Sequence, residues 1–168
     1  MIQTWKNIIF DFRQPISYLI PALIVAFIVS IFCRGWKKST IHPSTFMLVI
    51  YGEVLLQTAF LSREPGTRKG VDLKLFSTWG YTSADHAFFI ENIMMLVPFG
   101  ILMPIVFKKM QKMRWCVLAG VLCSCGIEVS QLMTQRGFCQ VDDVVTNTAG
   151  TLLGWLIWKC ASKTFWED

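Results

Sequence analysis

Glu128 and Gln131 stand three residues apart, Asp142 and Asp143 are adjacent, Asn147 follows Asp143 at a spacing of four, and Arg136 lies between the two groups. Spacings of three and four bring side chains onto one helix face. Each of two consecutive helices would therefore present a carboxyl and a carboxamide on one side. Neighbouring carboxyls can hold separated acidities and act as acid and base, while arginine and amides bind and orient a polar head group. Asn92 sits in an earlier apolar run, and Glu53 and Gln57, four apart, in a still earlier one. The six cysteines, Cys33, Cys116, Cys123, Cys125, Cys139 and Cys160, show no CxxC pairing, and most lie in apolar runs. They read as small buried hydrophobes, so neither a metal centre, a cofactor nor a disulfide framework is expected. Neither His42 nor His86 belongs to the central group, although His86, near the start of the third apolar run, is close enough to join it.

The elements that must position these residues follow from solvent preference. With 168 residues, 54% of them hydrophobic and 16% charged, and a mean hydropathy of +0.49, the chain is too apolar for a water-soluble domain of this length. A membrane span needs roughly 20 mostly apolar residues, and backbone groups in lipid must be paired within helices or closed barrels. The alternation that marks barrel strands is absent. The expected fold is all-α, a polytopic integral membrane bundle with spans at about residues 17–33, 44–61, 87–107, 115–133 and 144–158. The last is short and carries Asn147. Pro21, Pro98 and Pro104 fall inside spans, where neighbouring helices or waters can satisfy the freed carbonyls.

Ahead of the first span, Ile2, Trp5, Ile8, Ile9 and Phe12 repeat at helical spacing. Residues 1–16 are read either as an interfacial amphipathic helix or as an extension of the first span broken near Pro15. Residues 17–168 form one transmembrane domain with no linker or repeat. No small-residue cleavage site follows the first apolar run, which reads as a retained span.

The net charge of +5 is concentrated in short clusters between apolar runs, which fits membrane anchoring better than a nucleic-acid surface. The connections Arg34 to Pro43 and Lys108 to Arg114 hold basic residues and no acid. By the positive-inside rule they face the cytoplasm, with the N-terminus outside and the C-terminus inside. Nine basic residues then lie inside against seven outside, so the purity of the two clusters carries the argument. Under this topology Asn92, Glu128, Gln131, Arg136, Asp142, Asp143 and Asn147 gather near the outer surface.

A charge within a span costs roughly 2.5 to 3.5 kcal/mol on insertion scales, so Glu128 needs a partner, and Arg136 is the nearest candidate in sequence. Gly150 and Gly154 form a GxxxG expected to bring the fifth span onto the fourth. Arg136, Asp142 and Asp143 could instead form a salt-bridge cluster that merely pins a tight loop. That reading leaves the shared depth of Asn92, Glu128, Gln131 and Asn147 without a reason. Glu53 and Gln57 either extend a polar path or hydrogen-bond a neighbouring helix.

The ordered set Glu91-Asn92, Pro98-Phe99-Gly100, Glu128-x-x-Gln131, Arg136, Asp142-Asp143, Asn147-Thr148-x-Gly150 and Gly154 resembles the VanZ-like family of bacterial membrane proteins. Arg63-Glu64 followed by Leu73 to Phe76 resembles that family's segment between its second and third spans. The family reads Asn-Leu-x-Pro-Phe where this chain has Asp72-Leu73-Lys74-Leu75-Phe76. The resemblance covers roughly residues 45–158 and implies a multi-pass protein of the bacterial cell membrane, linked through its named member to resistance against the glycopeptide teicoplanin.

Two functions stay open. One is a non-enzymatic envelope protein that binds a lipid-linked or lipopeptide-like ligand, its head at Arg136 and Asn92. The other is an intramembrane hydrolase or transferase on a lipid-linked substrate, with Glu128 as base and Asp142 or Asp143 as acid or metal ligand. A transporter finds little support in five spans without a repeat. The topology has a direct test. In a cysteine-free background, cysteine at Lys38 or Lys109 should resist an impermeant thiol reagent in intact cells and cysteine at Lys69 should react; the reverse pattern would overturn the orientation.

Overall fold

The computed structural model describes residues 2–11, 13–37, 42–66, 70–77 and 79–166. Lys38 in the first basic connection, and Arg68 and Lys69 in the long loop, lie outside the described residues. Three N-terminal helices, α1 (Ile2–Asp11), α2 (Arg13–Ser17) and α3 (Leu19–Lys37), precede α4 (Pro43–Leu56), which ends in a π turn, Gln57–Leu61. After the long loop come α5 (Ser83–Val106), a 3-10 turn (Lys108–Gln111), α6 (Met113–Thr134) and α7 (Val141–Trp166). Two loop segments, β1 (Val71–Asp72) and β2 (Cys139–Gln140), pair in parallel as Val71 with Cys139 and Asp72 with Gln140.

Local chemistry sets the ends. Pro43 opens α4 where its missing N–H costs nothing, and the His42 ring accepts from the Ser44 N–H. Thr82 and Asp85 cap α5 reciprocally, the Asp85 N–H donating to Thr82 Oγ1 at 3.2 Å and the Thr82 N–H to Asp85 Oδ2 at 3.0 Å. Gln135 ends α6 in the left-handed region at φ 54°.

The polarity of the bundle is inverted relative to a soluble protein. Phe27 and Leu122 are 62% and 64% exposed, whereas Glu128 and Asn147 are 2% and 0% exposed. Apolar surface outside and polar groups inside is the arrangement that lipid dictates. Among the described residues, four stretches are long and apolar enough to cross a membrane: Ile2–Ile31, Pro43–Leu61, Ser83–Val106 and Met113–Thr134. The first runs through α1, α2 and most of α3. α7 is about 39 Å long at the usual helical rise, ample to cross, but its composition is more polar. It packs chiefly on α5 and then on α6, so Thr146, Asn147 and Thr151 face protein and are buried.

The glycine stripe of α7 corrects one expectation. A Cβ at Gly150 would meet the Ile93 carbonyl of α5, and one at Gly154 the Val97 carbonyl. From the other side, a Cβ on Gly100 of α5 would meet the Thr151 carbonyl. The GxxxG therefore brings α7 onto α5, the third span, and not onto α6, the fourth. The reason is reciprocity, since Gly100 gives α5 a matching flat face, while α6 meets α7 through Gly120 against the Thr151 side chain. Gly150→Leu should lower stability in detergent by at least about 2 kcal/mol through overpacking against backbone. An unfolding midpoint equal to that of wild type would contradict this contact.

Candidate functional site

α4 ends, α5 begins, α6 ends and α7 begins at one end of the bundle, and the polar residues gather there. Asn92 Nδ2 of α5 donates to Asp143 Oδ1 of α7 at 2.7 Å, both residues being buried. Asn147 Nδ2 donates to Ser124 Oγ of α6 at 2.9 Å, and the Ser124 hydroxyl donates to the Asp143 carbonyl at 3.5 Å. Three helices are thus tied through four polar residues. Glu128 Oε2 accepts the Gln140 N–H at 2.9 Å, so the turn after α6 folds back onto that helix's own carboxylate. Gln131 Nε2 donates to the Ala59 carbonyl in the π turn at 2.6 Å.

Arg136 lies elsewhere than sequence proximity implies. Its Nη1 donates to the carbonyls of Phe60 at 3.2 Å, Leu61 at 3.4 Å and Arg63 at 2.7 Å, and its guanidinium carbon is 4.8 Å from the Phe60 ring centre. It caps the π turn, where carbonyls lack helical partners. The cation whose charge bears on Glu128 and Asp143 is Arg63, which also donates from Nη1 to Gln131 Oε1 at 3.5 Å. Glu53 and Gln57 bond each other, Gln57 Nε2 donating to Glu53 Oε1 at 3.0 Å, rather than a neighbouring helix. The His86 ring lies against Trp79, 4.4 Å between centres, apart from the central group.

Asp142 faces the long loop. Its Oδ1 accepts the Phe76 N–H at 2.6 Å and its Oδ2 the Ser77 hydroxyl at 3.4 Å. This holds Phe76 at φ 62°, a conformation unfavourable for a bulky side chain. Asp72 accepts the Lys74 N–H at 3.0 Å and the Ser77 hydroxyl at 2.8 Å. The Lys74 N–H and then the Ser77 hydroxyl hold the Asp72 carboxyl below its ordinary acidity range.

A cavity of about 520 Å³ opens beside this network, between α4 with its π turn, α5 and the N-terminal helices. Arg63, Asn92, Glu91 and Asp11 line one end; Tyr51, Leu55, Met95 and Pro98 line the other. Tyr51 donates its hydroxyl to the Met95 carbonyl at 2.9 Å, leaving an apolar wall. A second, almost wholly apolar cleft of about 380 Å³ lies between α4 and α6, where Gly52 and Gly126 leave open space. Asn92 belongs both to the cavity wall and to the buried network. The arrangement can seat an amphiphile, polar head toward Arg63 and chain toward Pro98.

Arg63 and Glu91 were visible in sequence only as part of the family resemblance. Nothing in periodicity marks Arg63 over Arg136, because the choice depends on the π turn between them in space. Asp142→Ala should release the loop by removing a hydrogen bond to a charged group worth about 1.5 to 3 kcal/mol. Hydrogen exchange over residues 70–77 should then rise roughly tenfold or more. In wild type the protection of the same amides, taken relative to their intrinsic exchange rate at each pH, should also fall in acid. The folded Asp72 pKa is depressed, so its contribution is present above the unfolded value of about 4 and is lost as pH falls through the lower folded one. Unchanged exchange in Asp142→Ala would show that Asp142 does not anchor the loop.

The model of the VanZ/LLP1 family matches residues 16–162. No curated protein and no solved structure matches the chain. The matched region contains every residue of the buried network together with Arg63 and Glu91, and leaves α1 outside. The match spans nearly the whole bundle, and its apolar helices are long enough to cross a bilayer: the chain is a membrane protein that belongs to the VanZ/LLP1 family.

Proposed function

We propose that this protein binds a lipid-linked or lipopeptide-like envelope ligand in the cavity between α4 and α5. The polar end faces outward from the bacterial cell membrane, and binding contributes to resistance against teicoplanin-type glycopeptides. The observation that carries this reading is the cavity's polarity gradient, from Arg63 and Asn92 at one end to Tyr51 and Pro98 at the other. Tyr51 on α4 and Arg63, just beyond the π turn, are twelve residue steps apart, at most about 18 Å at helical rise. A volume of about 520 Å³ lies within the ordinary range for small-molecule sites, about 300 to 1,000 Å³. It accommodates a head group and the first part of a chain, with the remainder in the bilayer.

The buried network supports this role by fixing the polar end. Asn92 is held by Asp143, Gln131 is held by the Ala59 carbonyl, and Arg63 reaches Gln131. A wall whose side chains are already oriented loses little freedom on binding.

The enzymatic reading, a hydrolase or transferase on a lipid-linked substrate, draws on one observation. Glu128 and Asp143 are buried carboxyls close enough to influence each other, with Arg63 acting on both. Glu128 would serve as base there, with Asp143 closer to the role of partner than Asp142.

Photocrosslinking separates the two. A diazirine-bearing lipid-linked precursor, or teicoplanin carrying the same group on its acyl chain, should label peptides of α4 and α5 in the purified protein. Leu55→Trp should fill the apolar end and lower labelling roughly tenfold, the equivalent of about 1.4 kcal/mol, and should lower teicoplanin tolerance in cells. Labelling that ignores Leu55→Trp would overturn the cavity as the site. Release of a cleaved product by wild type but not by Glu128→Gln, with labelling intact, would establish the enzymatic reading instead.

A further inference from the structure

The third wall of the cavity is the N-terminal segment. α1 packs against α5 and buries Thr4 and Ile8, and Asp11 at its end lines the cavity together with Pro15. Asp11 and Glu91 line the same end of the cavity, and Glu91 Oε1 is buried with no hydrogen-bond partner among the described residues. Two facing carboxyls in a medium of low dielectric repel when ionised, and a buried acceptor left without a donor costs free energy. The cation on this cavity wall, Arg63, donates to Gln131 and acts on Glu128 and Asp143. The acidic end therefore calls for donors from an occupant. A primary ammonium is compact, cationic and carries three N–H donors, enough to meet both carboxyls and the orphan oxygen. Arg63 on the same wall suits an anion.

The family match begins at residue 16, so Asp11 stands outside it while Glu91 and Arg63 stand inside. The acidic wall is thus completed by a residue outside the matched region.

We propose that α1 with Pro15 forms the specificity-determining wall of this cavity, and that Asp11 with Glu91 selects membrane-borne amphiphiles whose head group carries a primary amine beside a phosphate. This rests on the reading of the cavity as a lipid-ligand site. It assigns to Asp11 and Glu91 the amine, to Arg63 the phosphate, and to the wall between Tyr51 and Pro98 the chain.

The test uses the full chain in nanodiscs of phosphatidylcholine containing a trace of diazirine phosphatidylethanolamine or of diazirine phosphatidylglycerol with identical chains. Wild type should crosslink the ethanolamine lipid to α4 and α5 peptides about tenfold more than the glycerol lipid, a difference of about 1.4 kcal/mol. Glu91→Gln and Asp11→Asn should each reduce that preference below about threefold by weakening the ethanolamine lipid alone. Asp11 ends a peripheral helix, so its variant reads out selectivity even if Glu91→Gln disturbs the packing of α5. Equal labelling by both lipids in wild type, or a preference intact in both variants, would overturn the amine selectivity while leaving the cavity as a lipid site. Failure of either lipid to label the cavity in a way that Leu55→Trp suppresses would overturn the cavity reading, and this inference with it.

Discussion

The close approach of α5 and α7 sets the rest of the molecule. Glycines at 100, 150 and 154 let each backbone lie against the other's carbonyls, so the axes approach without side chains between them. Lipid supplies no hydrophobic force to press helices together, and association depends on such packing and on hydrogen bonds across it. The approach puts Asn92 within 2.7 Å of Asp143, and that bond makes a carboxyl tolerable inside the bundle. Ser124 and Asn147 extend the tie to α6. α4 has no comparable glycine seam. It holds its place through Tyr51 on the Met95 carbonyl, Gln131 on the Ala59 carbonyl and Arg136 on the π turn, and clefts remain on both of its flanks. The tight pair and the loosely flanked helix together produce a rigid polar wall beside an accessible apolar one.

Much of this was legible because lipid is a demanding solvent. The apolar runs marked the spans, and the regular spacing of Asp143, Asn147, Gly150 and Gly154 marked α7 as a helix with a protein-facing stripe even though its hydropathy is low. That stripe could not name its neighbour. Gly150 and Gly154 announce a close contact, but whether α5 or α6 receives it depends on the matching glycine, Gly100, which one sequence does not link to them. The shared depth of Asn92, Glu128, Gln131 and Asp143 is read from helical rise and span order, and within that set Asn92 and Asp143 bond each other.

The roles of the arginines were not legible, for a reason of backbone geometry. A π turn at Gln57–Leu61 leaves carbonyls that an ordinary α-helical end would direct differently, and Arg136 is drawn to them. Arg63, just beyond that turn, is left beside the carboxyls. Hydrophobic periodicity carries no signal for a five-residue change in hydrogen-bond register. The meeting of Asp11 with Glu91 was hidden similarly, since each lies on a helix whose own pattern is satisfied by lipid-facing residues. Only the packing of α1 on α5 brings them together.

Adjacent residues on a helix diverge by about 100° and do not face a common partner. Asp142 and Asp143 obey this: one turns to the loop and receives the Phe76 N–H, while the other turns inward to Asn92. They read in sequence as a pair of acids, but the helix assigns them to different faces of the same turn. Glu128 and Asp143, fifteen residues apart, are the carboxyls that share Arg63. Asp142 instead ties the start of α7 to the long loop through Phe76 and Ser77, while Asp143 ties it to α5 through Asn92.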